Sequence, residues 1–400
     1  MPDKFTETKT VGLGNRMVDS VKNVFVGLLM FVASFGLLYW NEGRADLSLI
    51  AKQAVEISSE TANTNAELEG KLISTTGDVK TEETVGDELF LYPGDYLAVE
   101  RNVEMYAWIE DTEEKENTNL GGSQTTETTY TYRKDWVADP KPSSSFKYPE
   151  EHGNPELYYE NGTYTVSEAA VGVYSFDASK ITLPEFSDLS LKEDMIFIEV
   201  GTGVLANSQY IFLPYTSGGS LTAPKVGDVR VSYKVLEPGF SGTVFGKLDG
   251  SEILPSVDKD NNELFRLFAG TRDEAVATLH EEFVMMLWLF RVLGFLLMWM
   301  GLTALFGPFT TLLDILPILG SLGRGVVGAV MFVVAFVLSI ITILVSMILH
   351  NIVALIVLLA LSLVGIGFAV NILRKKLKEK QAGGGLSGGI GGMVNKVLGK

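Results

Sequence analysis

The stretch "LLYWNEGRADLSL" runs from Leu37 to Leu49. Within it a long apolar run stops, and Asn41, Glu42, Arg44 and Asp46 follow at once. The architecture depends on how that stop is read. A secretory signal has an apolar core of about 7–15 residues and then a cleavage site of small residues. Here the run from Val21 to Trp40 is about 20 residues long. It closes on Tyr39 and Trp40, aromatic residues suited to the membrane–water boundary. A cut after Gly36 is the alternative. The length of the run and its aromatic end favour an anchor that stays in the membrane.

The same reading extends along the chain. About 20 apolar residues are needed to cross about 30 Å of hydrocarbon. Residues 21–40, 283–306, 326–349 and 352–373 meet that need. Buried core helices of this length would normally carry a polar stripe. One ionisable group lies at depth, Arg291, about 12 Å into the second block. A charge there either snorkels to the headgroups or meets polar groups of another helix.

Lys and Arg near helix ends set orientation. Lys4, Lys9, Arg16 and Lys22 precede or open the first block, Arg324 lies between the second and third, and Arg374, Lys375, Lys376, Lys378 and Lys380 follow the fourth. With four spans these clusters share one side. The prediction is an α+β membrane protein with four transmembrane helices and a large β-rich extracytoplasmic (lumenal) domain, residues 41–282, between the first and second. Residues 1–20 are expected to be a cytoplasmic lead-in. Residues 307–325, broken by Pro308 and Pro317, are expected to form an interfacial or re-entrant piece. Residues 374–400 read as a basic and then Gly-rich cytoplasmic tail.

Residues 45–282 hold 43 acidic and 18 basic residues, a net charge of −25 by difference, so the whole-chain value of −17 hides two electrostatic halves. Such an acidic surface repels nucleic acid. The chain has no cysteine, which removes disulfides, thiolate nucleophiles and Cys-based zinc sites. Between about 71 and 255 the chain reads as strands. In "VGDVRVSYKVLEPG" Val229, Val231, Tyr233 and Val235 share one face. "TTETTYTYRKDW" is rich in Thr and Tyr. Residues 273–306 read as one helix that begins outside the membrane and continues into the second span.

Catalytic motifs fail on context. Gly385–Gly389 matches G-x-S-x-G but sits in a Gly-rich tail, without the strand and helix a nucleophile elbow needs. Gly201-Thr202-Gly203 with Ala206 lacks a surrounding βαβ unit. Asp258, Asp260 and Asn262 have the first spacings of a calcium loop, but Glu263 replaces its Gly and Ala269 its closing Glu. His280-Glu281-Glu282 opens like a zinc motif, but Val284 stands at the second His position. No catalytic, cofactor or metal set assembles. Small residues four apart, Ser321, Gly325 and Ala329, then Gly365 and Ala369, would let helices approach closely, within the bundle or between copies.

Several stretches together resemble the transmembrane protein 43 (LUMA) family. They are "NEGRA" (Asn41, Glu42, Gly43, Arg44, Ala45), "RNVEMYAWIE", "GGSQTTETTYTYRKDW", "VGDVRVSY", "RVLGFLLMWMGL" and "DILPILG". They occur in that order over most of residues 20–350. The resemblance implies a four-span protein with a large lumenal domain. It also implies self-association, with emerin and lamins as partners for a member in the nuclear envelope of an animal cell. The membrane would be the endoplasmic reticulum or inner nuclear membrane in a eukaryote and the plasma (inner) membrane in a bacterium. The resemblance brings no catalytic residues. The resulting expectation is a non-catalytic scaffold, partnered by membrane lipid, by copies of itself and by other membrane proteins. The alternative is an extracytoplasmic sensor or chaperone-like module that binds a cation or a protein ligand through its acidic domain.

Overall fold

The computed structural model describes residues 3–62, 65–197, 203–351 and Ile356, with backbone alone for 317–321. The expected fourth span, residues 352–373, and the tail lie outside the described residues. Strand β1 (Lys4–Val11) leads into helix α1 (Leu13–Glu42) and the short α2 (Leu47–Lys52). A β-rich head follows. Its main strands are β2 (Leu72–Lys80), β3 (Ala98–Thr118), β4 (Gln124–Val137), β5 (Val229–Leu236) and β6 (Ser241–Asp249). Helices α3 (Arg272–Leu305), α4 (Gly307–Leu313) and α5 (Pro317–His350) complete the described fold. The chain is therefore α+β, and Leu13–Lys52, Arg272–Leu305 and Leu322–His350 are long and apolar enough to cross a membrane.

Two sheets build the head. The first runs β1–β4–β3–β5 and ends on Tyr210–Leu213 and Val204–Ala206. The clean alternation of β5 places Val229, Val231, Tyr233 and Val235 inward, against Val99, Val103 and Met105 of β3. In the second sheet β6 pairs with β2 on one edge and with Arg266–Ala269 and Glu252–Leu254 on the other. Pairing continues through Tyr174–Asp177 and Glu168–Val171 back to β2, so this sheet closes on itself. Tyr174, Phe176, Val244 and Leu248 fill its interior. A third apolar cluster joins the head to the helices: Ala51 and Ala54 beside α2 meet Phe245, Phe268, Ala275, Val276 and Leu279.

The helices α1 and α3 lie antiparallel and touch along their length. Their closest approach needs glycine. A Cβ at Gly301 would stand 2.7 Å from the Phe31 nitrogen and 2.8 Å from the Gly27 carbonyl oxygen. Farther up, a Cβ on Gly294 would strike the Leu38 side chain. On the third side α5 docks through Trp299 Nε1–H, which donates to the Gly328 carbonyl at 2.9 Å, and through Phe295 against Phe332. The outer faces stay apolar and bare: Phe25, Leu29, Val326 and Val333 are at least 60% exposed.

One element departs from the expected layout. The sequence reading treats residues 1–20 as a lead-in separated from the domain by the membrane. Instead Lys4–Val11 is a strand paired residue for residue with β4, from Lys4 opposite Thr131 to Val11 opposite Gln124. Its alternating Thr residues suit a strand. Thr6 and Thr10 share hydroxyl hydrogen bonds with Thr129 and Thr125, and Phe5 stacks on Tyr148 at 4.3 Å. Helix α1 also begins at Leu13, well before the apolar run at Val21.

Strands β1, β4 and the outer half of β3 form a three-stranded arm that leaves the head. From Ala98 to Thr118, β3 is about 66 Å long, while α1 is about 45 Å long. The tip of the arm is fixed at the start of α1: Gly121 N–H donates to the Ile315 carbonyl at 3.1 Å, and Arg16 Nη1 donates to the Gly122 carbonyl at 2.5 Å. The head is fixed at the other end of α1. The three strands run together over residues 111–118 of β3, about 26 Å, so the arm covers a little over half the length of that helix.

Candidate functional site

The "NEGRA" stretch lies where α1 hands over to the head, and its residues draw the elements together. Glu42 closes α1, and Arg291 on α3 donates to it twice, Nε to Oε1 and Nη2 to Oε2, both at 2.8 Å. The Glu42 and Arg291 side chains are 4% and 16% exposed. Such a fork suits a guanidinium in a region of low dielectric. The contact expected for Arg291 from another helix is thus supplied by α1 of the same chain. The signal was present in Glu42, an acid two residues beyond the apolar run.

The neighbouring positions are equally engaged. Asn41 Nδ2 donates to the Leu287 carbonyl at 3.0 Å. At Gly43 a Cβ would meet the His350 ring at 2.4 Å, so the end of α5 closes over a turn that carries no side chain. His350 also packs on Tyr39, and Ser346 Oγ donates to the Tyr39 carbonyl at 3.0 Å. The Arg44 guanidinium rests on the rings of Trp40 and Phe290, at 5.7 and 5.4 Å from their centres. Past Ala45, Asp46 caps α2 by accepting from Ser48 N–H and meets His280 Nδ1 at 3.0 Å. Arg266 grips Glu282 with two hydrogen bonds of 2.5 and 2.6 Å. Anchor, head and both long helices therefore converge at one junction.

A second cluster fixes the opposite end. Asp314, between α4 and α5, is 1% exposed and accepts from Arg16 of α1 and from Arg324 of α5. Arg324 Nη2 also donates to Thr118 Oγ1 at the arm tip, at 3.4 Å. Two of the basic residues used to orient the helices thus share one buried carboxylate.

A third cluster sits inside the head. Asp87 Oδ1 accepts the backbone N–H groups of Leu89, Phe90 and Leu91; Oδ2 accepts Arg101 Nη1 at 2.9 Å and the Tyr233 hydroxyl. Burial by itself would raise the Asp87 pKa. The hydrogen bonds from Tyr233, from the Leu91 and Phe90 N–H groups and from Arg101 outweigh it and hold the carboxyl below its ordinary range. Burial, aided by Asp87, pushes the Tyr233 hydroxyl far up. All three side chains are consumed by one another, which makes this a structural tie.

The remaining expected sites fare unevenly. Gly325 and Ala329 are exposed, and a Cβ at Gly325 meets nothing within 4 Å. They take no part in packing among the described residues; Gly27, Gly294 and Gly301 hold that role. The side chain of Ser321, along with Gly365, Ala369 and Gly385–Gly389, falls outside the described residues, as do Gly201 and Thr202. Asp258 spends its carboxylate on Asp260 N–H, Asn262 N–H and Asn262 Nδ2, closing its own turn. Among the described residues no three His, Asp or Glu side chains gather to hold a metal.

A family model described as Transmembrane protein 43 matches residues 105–369, from the base of the arm into the expected fourth span. The chain belongs to the transmembrane protein 43 family. It is 27% identical to Transmembrane protein 43 of Rattus norvegicus over 348 residues, covering 83% of this chain and 85% of the relative. The Homo sapiens protein of that name is 27% identical over 341 residues, covering 81% and 83%. The Drosophila melanogaster homolog is 24% identical over 292 residues, covering 69% and 74%. No solved structure matches. With its apolar helices, this member of the family is an integral membrane protein.

Proposed function

We propose that this protein is a non-catalytic membrane scaffold whose copies assemble with their arms around a shared water-filled space. One observation carries the reading: a polar arm runs beside helices whose outer faces require lipid. Glu113, Glu114, Lys115 and Glu116 are exposed along it, as are Thr6, Thr8, Thr10 and Thr112. Open sheet edges do not occur facing hydrocarbon, because each unpaired N–H and C=O would lack a partner. The outer edge of β1 is unpaired by any described strand, and so is the edge of β3 beyond Trp108. These edges lie on opposite sides of the ribbon, and edges of that kind recruit strands. Pairing of unlike edges is head to tail, the kind of contact that closes rings. Arms turned inward are then hydrated, while α1, α3 and α5 face lipid and other membrane proteins.

Introduced cysteines test this cleanly in a cysteine-free chain. Thr8→Cys on one edge and Glu114→Cys on the other, combined in one chain, should give a ladder of covalent multimers with a short bis-maleimide in native membranes. A two-cysteine chain that stays monomeric at every cross-linker concentration, while labelling normally, would overturn the reading.

A further inference from the structure

The head carries a cleft whose charged lining is all of one sign. Residues 92–96 turn there against 194–195 and 237–238 and leave an opening of about 500 Å³. The turn is held by Tyr92 N–H, which donates to the Met195 carbonyl at 2.9 Å, and by Tyr96 N–H, which donates to the Gly94 carbonyl at 2.8 Å. Asp95, Asp194 and Glu237 are exposed at its rim, and no Lys, Arg or His lines it. Among the described residues none of these three carboxylates has an ion-pair or hydrogen-bond partner. A cleft lined by one sign of charge concentrates the opposite ion.

An acidic rim by itself is only a solvated surface, but the floor of this cleft is not. Tyr96 is 8% exposed, with its ring packed in the core of the head and its hydroxyl hydrogen-bonded to no described residue. Buried hydroxyls normally have a partner. A Cβ on Gly94 would stand 2.6 Å from the ring, so the ring lies across bare backbone. Burial, then Glu237 and Asp95, push the Tyr96 pKa up, which leaves a neutral hydroxyl with lone pairs to offer. Tyr92, 51% exposed, and Pro93 and Pro238 add apolar flanks. Among the described residues no three acids stand close enough to hold one metal ion. The lining therefore suits a wider cation, with several N–H donors on an apolar stem.

We propose that this cleft receives an arginine side chain of a partner protein, its guanidinium between Asp95 and Glu237 and donating to the Tyr96 hydroxyl. A guanidinium presents five N–H donors in a rigid fork, so it reaches separated acceptors that a metal ion does not bridge. Its hydrogen bonds to carboxylates are stronger than those between neutral groups. The face of an exposed tyrosine attracts the same cation, and the methylene stem covers apolar surface such as that of the two prolines. The proposal is independent of the assembly described above, because every residue it uses lies in the head of one chain.

Fluorescence anisotropy of a labelled peptide of alternating arginine and glycine, titrated with the full-length protein in non-ionic detergent, tests it. The peptide should bind saturably, and its citrulline counterpart, which keeps the shape and loses the charge, should not. Asp95→Asn combined with Glu237→Gln, both at exposed positions that leave the fold intact, should weaken binding about 10-fold. Tyr96→Phe keeps the ring in the core and should weaken binding about 3-fold by removing the acceptor. Glu113→Gln combined with Glu114→Gln removes the same charge from the arm and should leave binding unchanged. Equal binding of the citrulline peptide overturns the proposal. So does an equal loss in the arm variant, which would make the attraction a diffuse one to an acidic surface. Displacement of the peptide by equimolar Ca²⁺ would overturn it as well, by making the cleft a metal site.

Discussion

Helix α1 and the arm that reaches its N-terminal end are built for opposite solvents. Along α1 the bare positions are Val18, Phe25, Leu29 and Val32, and its polar Ser34 is fully buried with its hydroxyl turned to the Phe31 carbonyl. Along the arm the bare positions are Glu113, Glu114, Glu116 and Glu127, and its paired Thr hydroxyls lie in the open. A helix satisfies its own backbone, so it needs nothing from hydrocarbon. A three-stranded ribbon with two free edges needs water or another strand. Under the proposed assembly the helices take lipid and the arms take water at one depth. Arg16 and Arg324, which share Asp314, tie the arm tip to the helices through Gly122 and Thr118.

The sharpest way to break the comparison is at the bundle's buried ion pair. Glu42→Ala leaves the Arg291 guanidinium without its counter-charge, and breaking a buried pair from one side costs about 3–5 kcal/mol. Thermal unfolding in detergent should show that loss, and Glu42→Leu combined with Arg291→Leu should recover most of it. Unchanged melting of Glu42→Ala would mean that the guanidinium reaches water in the folded protein.

The head offers a second, pH-dependent handle that leaves the bundle alone. Because the Asp87 carboxyl is held below its ordinary value of about 3.9, it contributes stability above that pH and the contribution is lost as pH falls through its depressed value. The head should therefore loosen in acid before the helices do, read as loss of Tyr and Trp fluorescence structure with helical circular dichroism retained. Asp87→Asn should remove this acid step and lower stability at neutral pH by about 2 kcal/mol or more, since buried donors lose their charged acceptor. An acid transition unchanged in Asp87→Asn would assign it to other carboxylates.

A smaller effect is expected at the opposite end. Asp314→Asn weakens the hold of Arg16 and Arg324 and through them the arm tip. Hydrogen exchange at residues 119–124 should quicken several-fold, while the melting of the bundle falls by about 1–3 kcal/mol, since Arg16 is 11% exposed and loses its charged acceptor whereas Arg324 is 44% exposed and finds water. Tip exchange that stays slow would show that the Gly121–Ile315 and Arg16–Gly122 contacts suffice by themselves.

Much of the fold was legible in sequence because hydropathy and period are local signals. The helix read over 273–306 and the alternation of Val229–Val235 needed only neighbouring residues. The resemblance to the family was carried by short ordered stretches. The arm was not legible: "KFTETKTV" carries charges at Lys4, Glu7 and Lys9 that orientation rules treat as cytoplasmic, and nothing local reveals that its partner lies more than a hundred positions away at Gln124–Thr131. The glycine contact inside the bundle was not legible for a related reason. Gly325 and Ala329 show the expected spacing within one helix, whereas the true contact joins Gly27 on one helix with Gly301 on another, and only the seven-residue spacing of Gly294 and Gly301 hinted at it. Arg291 was singled out by its cost in lipid, but its partner Glu42 lies 249 positions away, and nothing local links the two.

The account rests on the arm being hydrated at the depth where the helices meet lipid. Site-directed spin labelling in lipid bilayers measures this directly, with nitroxides at Glu114→Cys and Thr128→Cys on the arm and at Leu29→Cys and Val333→Cys on the bundle. Collision with molecular oxygen reports hydrocarbon, and collision with a water-soluble nickel chelate reports water. The arm sites should collide strongly with the nickel chelate and weakly with oxygen, and the bundle sites should show the reverse. Oxygen-rich, nickel-poor labels at Glu114 and Thr128 would place the arm in lipid and contradict the account.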